Sequence, residues 1–237
     1  MLNIKIHRQI MFEIITDIYR SPIANLLGFK GGTMAYFFYG LDRFSVDLDF
    51  DLLDENKIEE IKKVIPEILT KRGQIKEEYN KRYTLFYLLN YKKENQNIKI
   101  EISKRTQFRY DYVIENFYGT DVKILNQSDA FATKLLACTT RNRLANRDFY
   151  DVYFYLKKGI IPNEKIIEIT TSKDILSYLE GLIKFIDQNI SSRSILHGLG
   201  ELIDEKQKAW IKNNLKKELI NRLTYFISEN RMERSKR

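Results

Sequence analysis

A single stretch of alternating residues constrains the fold of this chain more than any other feature. Over residues 46–52, apolar side chains alternate with three carboxylates, Asp47, Asp49 and Asp51. Because a β-strand sends successive side chains to opposite faces, the pattern predicts a strand with all three carboxylates on one face. Like charges on one face repel, and aspartate is a poor strand former. We therefore expect a compensating cation, for which Mg²⁺, with its preference for oxygen ligands, is the usual candidate.

A glycine-rich turn precedes this predicted strand. Gly31 and Gly32 let the backbone approach a ligand closely, because neither carries a Cβ. Thr33 is expected to be the N-cap of a short helix over residues 34–39, and the free N–H groups at the start of a helix suit a phosphate. The turn and the strand together predict a nucleoside triphosphate site with its own metal ion.

The residues of this region resemble a known family. Gly-Gly-Thr at 31–33 is followed by Arg-Phe-Ser-Val-Asp-Leu-Asp-Phe at 43–50. This arrangement resembles the nucleotidyltransferases of the DNA polymerase β superfamily. More narrowly, it is similar to the AbiEii/AbiGii-type toxins of bacterial abortive-infection and toxin–antitoxin systems, which include the MenT toxins. An isolated Asp-x-Asp pair also occurs in glycosyltransferases and on ordinary surfaces, so the upstream Gly-Gly-Thr makes the resemblance specific.

A second motif strengthens the resemblance. Lys134 lies in a predicted helix over residues 128–139, and Arg147, Asp148 and Asp151 open the next helix, where the family carries a Lys followed by Arg-Asp-x-x-Asp. The resemblance implies that Lys134 contacts the triphosphate and that Asp148 completes the active site, with Asp151 structural. The residues alone leave an alternative open, in which Lys134 pairs with Asp148, Arg147 pairs with Asp151, and the motif only joins two helices.

The resemblance also implies a catalytic metal set. Asp47, Asp49 and Glu101 are expected to hold one or two Mg²⁺ (or Mn²⁺) ions, and Glu101 to help activate the acceptor hydroxyl. Glu101 is the only acidic residue in the predicted strand over residues 97–103, where isoleucines alternate with polar residues. On the residues alone, a solvent-facing glutamate on an amphipathic strand is the alternative.

A further set is expected to bind the nucleotide. It consists of Gly31, Gly32, Thr33, Arg43, Ser45 and Lys134. Arg43 is predicted either to neutralise phosphate charge or to pair with Asp42 or Asp47. Ser45 begins the family's Ser-x-Asp unit and is expected to orient a phosphate, unless it is an ordinary hydroxyl at the start of a strand.

Composition narrows the partners and the kinds of site. The 237-residue chain has 40 Lys and Arg against 32 Asp and Glu, a net charge of +8, which favours a polyanionic partner such as nucleic acid, although a lysine-rich composition alone gives the same excess. The resemblance suggests RNA, notably the 3′ end of tRNA. The single cysteine, Cys138, excludes an internal disulfide, and the two distant histidines, His7 and His197, disfavour His triads and zinc sites. Because no apolar run reaches about 20 residues, we expect a cytoplasmic protein without a membrane span.

The segment over residues 104–120 mixes basic and aromatic side chains in an irregular pattern. Phe108 and Tyr110 lie among Lys104, Arg105 and Arg109. Such a mixture either holds single-stranded RNA by charge and stacking or packs over the core. We expect packing for most of these aromatic rings.

The predicted fold is α/β. A nucleotidyltransferase core with a small mixed sheet is expected over residues 1–125, followed by a C-terminal helical bundle over residues 126–237 that completes the active site. Besides the strand at 46–52, strands are predicted over residues 74–79, 82–90, 97–103 and 122–125. Helices are predicted over residues 3–20, 22–27, 55–72, 128–139, 147–156, 163–169, 172–190 and 206–229.

The reaction implied by the resemblance moves a nucleoside monophosphate from a nucleoside triphosphate to an acceptor hydroxyl and releases pyrophosphate. The protein would be a growth-inhibiting toxin with a cognate antitoxin. The alternatives are a non-catalytic RNA- or protein-binding module, a transferase acting on protein or small molecules, and a Mg²⁺-dependent phosphodiesterase. Intact Asp47 and Asp49 disfavour the binding module, and the Gly-Gly-Thr turn favours a triphosphate substrate over a phosphodiester.

Overall fold

A computed structural model of the chain describes residues 2–92, 96–105, 110–141 and 143–236. The chain forms two compact units. The first contains Met1–Gly40 and Phe44–Asn126, and the second contains Leu41–Arg43 and Gln127–Arg237. Among the helices of the described ranges, none combines the length and the apolar character that crossing a membrane requires.

The first unit is built on one mixed sheet, which has seven strands among the described residues. The strands are β1 (Leu27–Lys30), β2 (Asp47–Leu52), β3 (Gln74–Lys81), β4 (Thr84–Lys92), β5 (Gln96–Ser103), β6 (Tyr112–Phe117) and β7 (Thr120–Leu125). Their order across the sheet is β3-β4-β5-β2-β1-β7-β6. The pairs β2–β5 and β1–β7 are parallel, and the other four pairs are antiparallel. The predicted mixed α/β fold is confirmed.

Alternating burial in the central strands confirms the predicted faces. Leu48 and Phe50 of β2 are fully buried, while Asp47 and Asp49 remain partly exposed. In β5 the residues at alternate positions are likewise fully buried, namely Ile98, Ile100 and Ile102. The apolar face of these strands therefore belongs to the core, and the polar side chains of β2 and β5 share the opposite face.

Three helices belong to the first unit, α1 (Ile4–Tyr19), α2 (Gly31–Phe38) and α3 (Ile58–Thr70). Helices α1 and α3 contact each other, and their apolar stripes are buried. Asn3 caps α1, with its side chain accepting a hydrogen bond from the Ile6 backbone N–H. Pro66 lies inside α3, which continues through it as one helix.

The helix predicted over residues 22–27 is wrong. Residues Ala24–Leu26 form one 3₁₀ turn, and the following residues form β1. Leu27 and Phe29 are fully buried, and Gly28 lies opposite Asp51 of β2. A Cβ at Gly28 would come within 2.1 Å of the Tyr112 ring, so only glycine lets that ring lie against the strand.

The start of α2 also differs from the prediction. The helix begins at Gly31 with Lys30 as N-cap, so Thr33 is in the first turn rather than at the cap. The Thr33 side chain is fully buried, and its hydroxyl donates a hydrogen bond to the backbone carbonyl of Asp47. This bond joins α2 to the start of β2.

The segment predicted to be irregular contains a strand. Strand β6 pairs with β7 as an antiparallel hairpin. Tyr118 and Gly119 at its tip both have positive φ, 49° and 83°, which is the conformation of a tight two-residue hairpin turn. Phe108 and Arg109, which the sequence suggested as RNA contacts, lie outside the described residues.

The second unit is helical, as predicted. Its helices are α4 (Gln127–Thr140), α5 (Asn146–Lys157), α6 (Glu164–Thr171), α7 (Ile175–Asn189), α8 (Glu205–Trp210) and α9 (Lys216–Ser235). The single helix predicted over residues 206–229 is interrupted by a π-helical segment, Ile211–Leu215, between α8 and α9. Asp204 caps α8 in a capping box with Gln207.

Candidate active site

Strand pairing brings the predicted metal ligands of the first unit onto one face of the sheet. Strands β2 and β5 are parallel neighbours, with Asp47 opposite Lys99 and Asp49 opposite Glu101. We call Asp47, Asp49 and Glu101 the carboxylate row. The side chains of Asp47 and Glu101 are 21% and 39% exposed, so the row opens to solvent. The predicted placement of Glu101 on a strand beside the Asp-x-Asp strand is confirmed.

One lysine lies within this row. The Lys99 ammonium is 3.4 Å from Asp47 Oδ2 and 3.7 Å from Glu101 Oε2. This contact could not be predicted from the sequence, because it depends on the register between two strands about 50 residues apart in the chain. Lys99 thus supplies part of the positive charge that the row requires.

The surroundings of Asp49 disfavour its negative charge. Burial raises its pKa, and the negative charges of Asp47 and Glu101 raise the pKa further, against smaller opposing effects of Lys99 and Lys30. A carboxylate in this setting gains from any additional cation.

The start of α2 lies directly against Asp49. Gly31 has a φ of +83°, and a Cβ at this position would come within 2.5 Å of Asp49 Oδ2. Both the backbone angle and the contact require glycine. The first turn of α2 therefore places its free N–H groups beside the carboxylate row, as expected for an anion held next to a metal. Gly32 is buried in the same turn.

Asp51, the third carboxylate of β2, has different surroundings. It is only 5% exposed, and its two oxygens accept hydrogen bonds from Lys30, at 2.6 Å, and from the Tyr112 hydroxyl, at 2.7 Å. Burial and the neighbouring Asp51 raise the pKa of Tyr112 well above its usual range, so the phenol remains a donor. Asp51 is thus held by side chains of its own sheet, apart from the carboxylate row.

A buried histidine supports the start of β2. His7 is 1% exposed, and its ring nitrogens lie 2.7 Å from the Tyr91 hydroxyl and 3.0 Å from the Val46 carbonyl. Burial lowers its pKa, so the ring is neutral, and Nε2 carries the proton because the Val46 carbonyl can only accept a hydrogen bond. The sequence offered no signal for this role, because the contact joins residues 39 positions apart.

The donor set of the row suits a hard divalent cation. Three carboxylates on one face are oxygen ligands of the kind that Mg²⁺ and Mn²⁺ bind, and the absence of a Cβ at Gly31 lets the Asp49 carboxylate lie against the start of α2. Across the described residues, however, no three His, Cys, Asp or Glu side chains converge on one point as a ready-made metal site. The chemistry of the row nevertheless fits the metal, because Mg²⁺ is commonly held by one or two carboxylates together with substrate phosphates.

The second unit contains a different group of charges, which we call the buried ion cluster. Its members are Arg43, Lys134, Arg141, Asp148 and Asp151. Both aspartate side chains are fully buried. Lys134 on α4 lies 2.7 Å from Asp151 and 3.2 Å from Asp148, both on α5. Arg141 Nε lies 2.7 Å from Asp148 Oδ2.

Arg43 completes this cluster. Its guanidinium is 2% exposed and donates to both oxygens of Asp151, at 2.6 and 2.7 Å. The predicted pairing of Arg43 with Asp42 or Asp47 is therefore wrong, and in this conformation its fork is directed at a carboxylate rather than a phosphate. Ser45, two residues further on, is buried just before β2.

The sequence left open that the second motif only joins two helices, through the pairs Lys134–Asp148 and Arg147–Asp151, and the structure contains the first of these pairs. Lys134 does pair with Asp148, but among the ion pairs of the described residues Asp151 takes Arg43 and Lys134 as partners in place of Arg147. Burial alone would raise the pKa of Asp151, but Arg43 and Lys134 outweigh it and hold that pKa below its ordinary value. Burial likewise opposes the charge on Lys134, yet Asp151 and Asp148 raise its pKa. Arg43, Lys134 and Arg141 are the cations that contact these two carboxylates among the described residues.

Solved structures with the same fold are those of nucleotidyltransferase-like proteins. A candidate nucleotidyltransferase from H. pylori superposes with a TM-score of 0.56 at 22% identity, covering 95% of this chain and 98% of its own. JHP933 from Helicobacter pylori gives 0.52 at 22% identity, covering 98% and 99%. An antigenic nucleotidyltransferase-like protein from Paracoccidioides brasiliensis gives 0.52 at 14% identity, covering 84% and 96%. A search of curated proteins finds no significant match.

A family model supplies the family as well as the fold. Residues 13–222 match the family described as nucleotidyl transferase AbiEii toxin of type IV toxin–antitoxin systems. The matched region includes the carboxylate row and every member of the buried ion cluster. The chain therefore belongs to the AbiEii nucleotidyltransferase toxin family and is a nucleotidyltransferase.

Proposed function

We propose that this nucleotidyltransferase moves a nucleoside monophosphate from a nucleoside triphosphate to RNA, with the 3′ end of tRNA as the acceptor, in a Mg²⁺- or Mn²⁺-dependent reaction. It acts as a toxin that a cognate antitoxin restrains. One observation carries the proposal: the carboxylate row lies against the glycine start of α2, so oxygen ligands for a metal adjoin N–H donors for a phosphate.

The residues of the row take distinct roles. Asp47, Asp49 and Glu101 hold the metal, which when bound neutralises phosphate charge and stabilises the attacking and leaving oxygens. The N–H groups at Gly31 and Gly32 hold the triphosphate. Glu101, the more exposed end of the row, accepts the proton of the acceptor hydroxyl. The acceptor oxygen bonds to the α-phosphorus, the bond from that phosphorus to the bridging oxygen breaks, and pyrophosphate leaves.

The roles of Lys134 and Asp148 remain part of the proposal. Lys134 contacts the triphosphate and Asp148 completes the active site. Arg141, which contacts Asp148 and is 42% exposed, leaves a cation of the cluster accessible to an anion, and this supports an anionic partner for the cluster. The net charge of +8 supports a polyanionic acceptor.

The test is label transfer. Purified protein is incubated with Mg²⁺, total bacterial RNA and each α-labelled nucleoside triphosphate in turn, beside the double variant Asp47→Asn, Asp49→Asn. Asp121→Asn, which changes an exposed carboxylate on β7, is the matched control. We expect label in a tRNA-sized band with the wild type and with the control, and none with the double variant. Label on protein or a small molecule would replace RNA as the acceptor, and shortened RNA without label would indicate a nuclease.

A further inference from the structure

The lysine within the carboxylate row is bound less closely to its carboxylates than Lys30 and Lys134 are to theirs. Lys99 lies 3.4 and 3.7 Å from its two carboxylates. The ammonium of Lys30 lies 2.6 Å from Asp51, and that of Lys134 lies 2.7 Å from Asp151. The distances from Lys99 are those of a cation shared between two carboxylates without a committed hydrogen bond to either.

Strand register determines where this ammonium lies. Lys99 faces Asp47 across the parallel β2–β5 pair, and Glu101 follows it two residues later on the same face. The ammonium therefore lies among the oxygens that are expected to coordinate the metal. Two cations do not share that space, since a divalent ion and an ammonium repel at such distances.

From this geometry we infer that Lys99 is a built-in competitor for the metal. In the metal-free protein its ammonium neutralises part of the charge of the carboxylate row, and it leaves the row when a divalent cation binds. The inference rests on the proposed function for the metal ligands Asp47, Asp49 and Glu101. Lys99 is a positioning residue that sets how tightly the row binds metal, and it has no role in the bond-making step.

The side chain is suited to such an exchange. The ammonium of lysine is a compact charge on a flexible four-carbon stem, so it can move several ångströms without a change in the backbone. The Lys99 side chain is 32% exposed and has open solvent available to it, unlike Lys134 at 12%. Displacing the ammonium lowers the apparent metal affinity, because the metal binds only the state from which lysine has withdrawn.

The first experiment measures Mn²⁺ affinity directly, from the electron paramagnetic resonance signal of free Mn²⁺. Wild type is compared with Lys99→Met, which keeps the length of the side chain and removes its charge. Lys104→Met is the matched control, because that ammonium bonds to the neutral amide of Asn80 just beyond the end of β5. We expect Lys99→Met to bind Mn²⁺ about tenfold more tightly than wild type and Lys104→Met to bind as wild type does.

The second experiment uses the unaltered protein and so does not depend on the folding of a variant. Lysine acetylation by a water-soluble reagent is followed by mass spectrometry with and without Mn²⁺. We expect acetylation of Lys99 to rise several-fold when Mn²⁺ is present, because the ammonium moves into solvent, while acetylation of Lys104 stays constant.

The outcomes separate this inference from the proposed function. If neither wild type nor Lys99→Met binds Mn²⁺, both the metal site and the inference are overturned. If wild type binds Mn²⁺ but Lys99→Met binds no more tightly, or if Lys99 acetylation does not rise with Mn²⁺, the competitor role alone is overturned. The double variant Asp47→Asn, Asp49→Asn provides the baseline for unspecific binding.

Discussion

The carboxylate row and the buried ion cluster both place carboxylates beside cationic side chains, but they differ in burial and in how closely the charges are paired. In the row, the contacts of Lys99 with carboxylates are 3.4 and 3.7 Å, and the side chains are partly exposed. In the cluster, Asp151 is fully buried and bonded at 2.6 to 2.7 Å by Arg43 and Lys134. We therefore expect the row to exchange its cation, whereas the cluster keeps Arg43 and Lys134 paired with Asp151.

Desolvation explains the difference. A charge removed from water costs several kcal/mol unless counter-charges and hydrogen bonds replace the water, so both oxygens of a buried carboxylate need partners. Asp148 and Asp151 each have cations at both oxygens. Asp47 and Glu101 retain contact with solvent, which lets the row remain incompletely neutralised, as the proposed metal site requires.

The largest expected effect is on catalysis in the row. The double variant Asp47→Asn, Asp49→Asn should lose about 1,000-fold or more in transfer rate, because the negative charge that holds the metal is removed. Its free energy of unfolding in the absence of metal should stay equal to that of wild type or rise by about 0.5–1 kcal/mol, because repulsion within β2 is relieved. Transfer assays and urea denaturation measure the two effects. A double variant that remains active, or that is less stable than wild type, would contradict this expectation.

The next effect concerns stability in the buried ion cluster. Asp151→Asn leaves Arg43 buried without its counter-charge and Lys134 with Asp148 alone, and it should lower the free energy of unfolding by about 3–5 kcal/mol. Asp121→Asn, at an exposed carboxylate, should change it by no more than about 0.5 kcal/mol. Urea denaturation of the two variants gives the comparison. Equal stability of both variants would mean that the buried ion cluster does not need the charge of Asp151.

Two glycines allow the cost of backbone strain to be measured separately from the cost of disturbing the carboxylate row. Gly31 and Gly159 both have positive φ, +83° and +69°, but only Gly31 has a neighbour, Asp49, in the space of a Cβ. Gly159→Ala should cost about 1–2 kcal/mol from the backbone alone and leave transfer intact. Gly31→Ala should cost more and also reduce transfer, because Asp49 must shift. Denaturation and transfer assays on both variants check this expectation. Equal stability and equal transfer rates of the two variants would contradict it.

The smallest effect is a difference in pH dependence between the two regions. Asp49 has a raised pKa in the folded state, so in metal-free protein its charge destabilises at neutral pH, and this penalty disappears as the pH falls toward its ordinary value of 3.8. The stabilisation gained by Asp49→Asn should therefore shrink over that range. Asp151 has a lowered pKa, so its contribution is complete above pH 3.8 and is lost only as the pH falls through its lower folded value.

Denaturation of wild type, Asp49→Asn and Asp151→Asn as a function of pH checks this contrast. The stability lost in Asp151→Asn should stay constant from neutral pH down to about pH 4, while the gain in Asp49→Asn decreases. Parallel pH profiles for the two variants would contradict the distinction between the partly exposed carboxylate row and the buried ion cluster.

Local patterns predicted much of the fold and of the row. The alternation around Asp49 and around Glu101 determines which face each side chain occupies, and the structure bears out both strands. Strand β1 was missed because it is four residues long and contains Gly28, which is explained only by the Tyr112 ring from a distant strand. Arg43 was misassigned because its partner Asp151 lies 108 residues away. Lys99 was missed because strand register is not visible in one sequence.

The most direct test of the account is the metal dependence of nucleotide binding. Each of the four nucleoside triphosphates, as an analogue with a non-hydrolysable α,β-bridge, is titrated calorimetrically into wild type and into Asp47→Asn, Asp49→Asn, with Mg²⁺ and with a chelator. We predict that one analogue binds wild type at least about tenfold more tightly with Mg²⁺ than without it, and that the double variant shows no such difference. Binding to wild type that is equally tight with and without Mg²⁺ would contradict the assignment of the carboxylate row as the metal and nucleotide site.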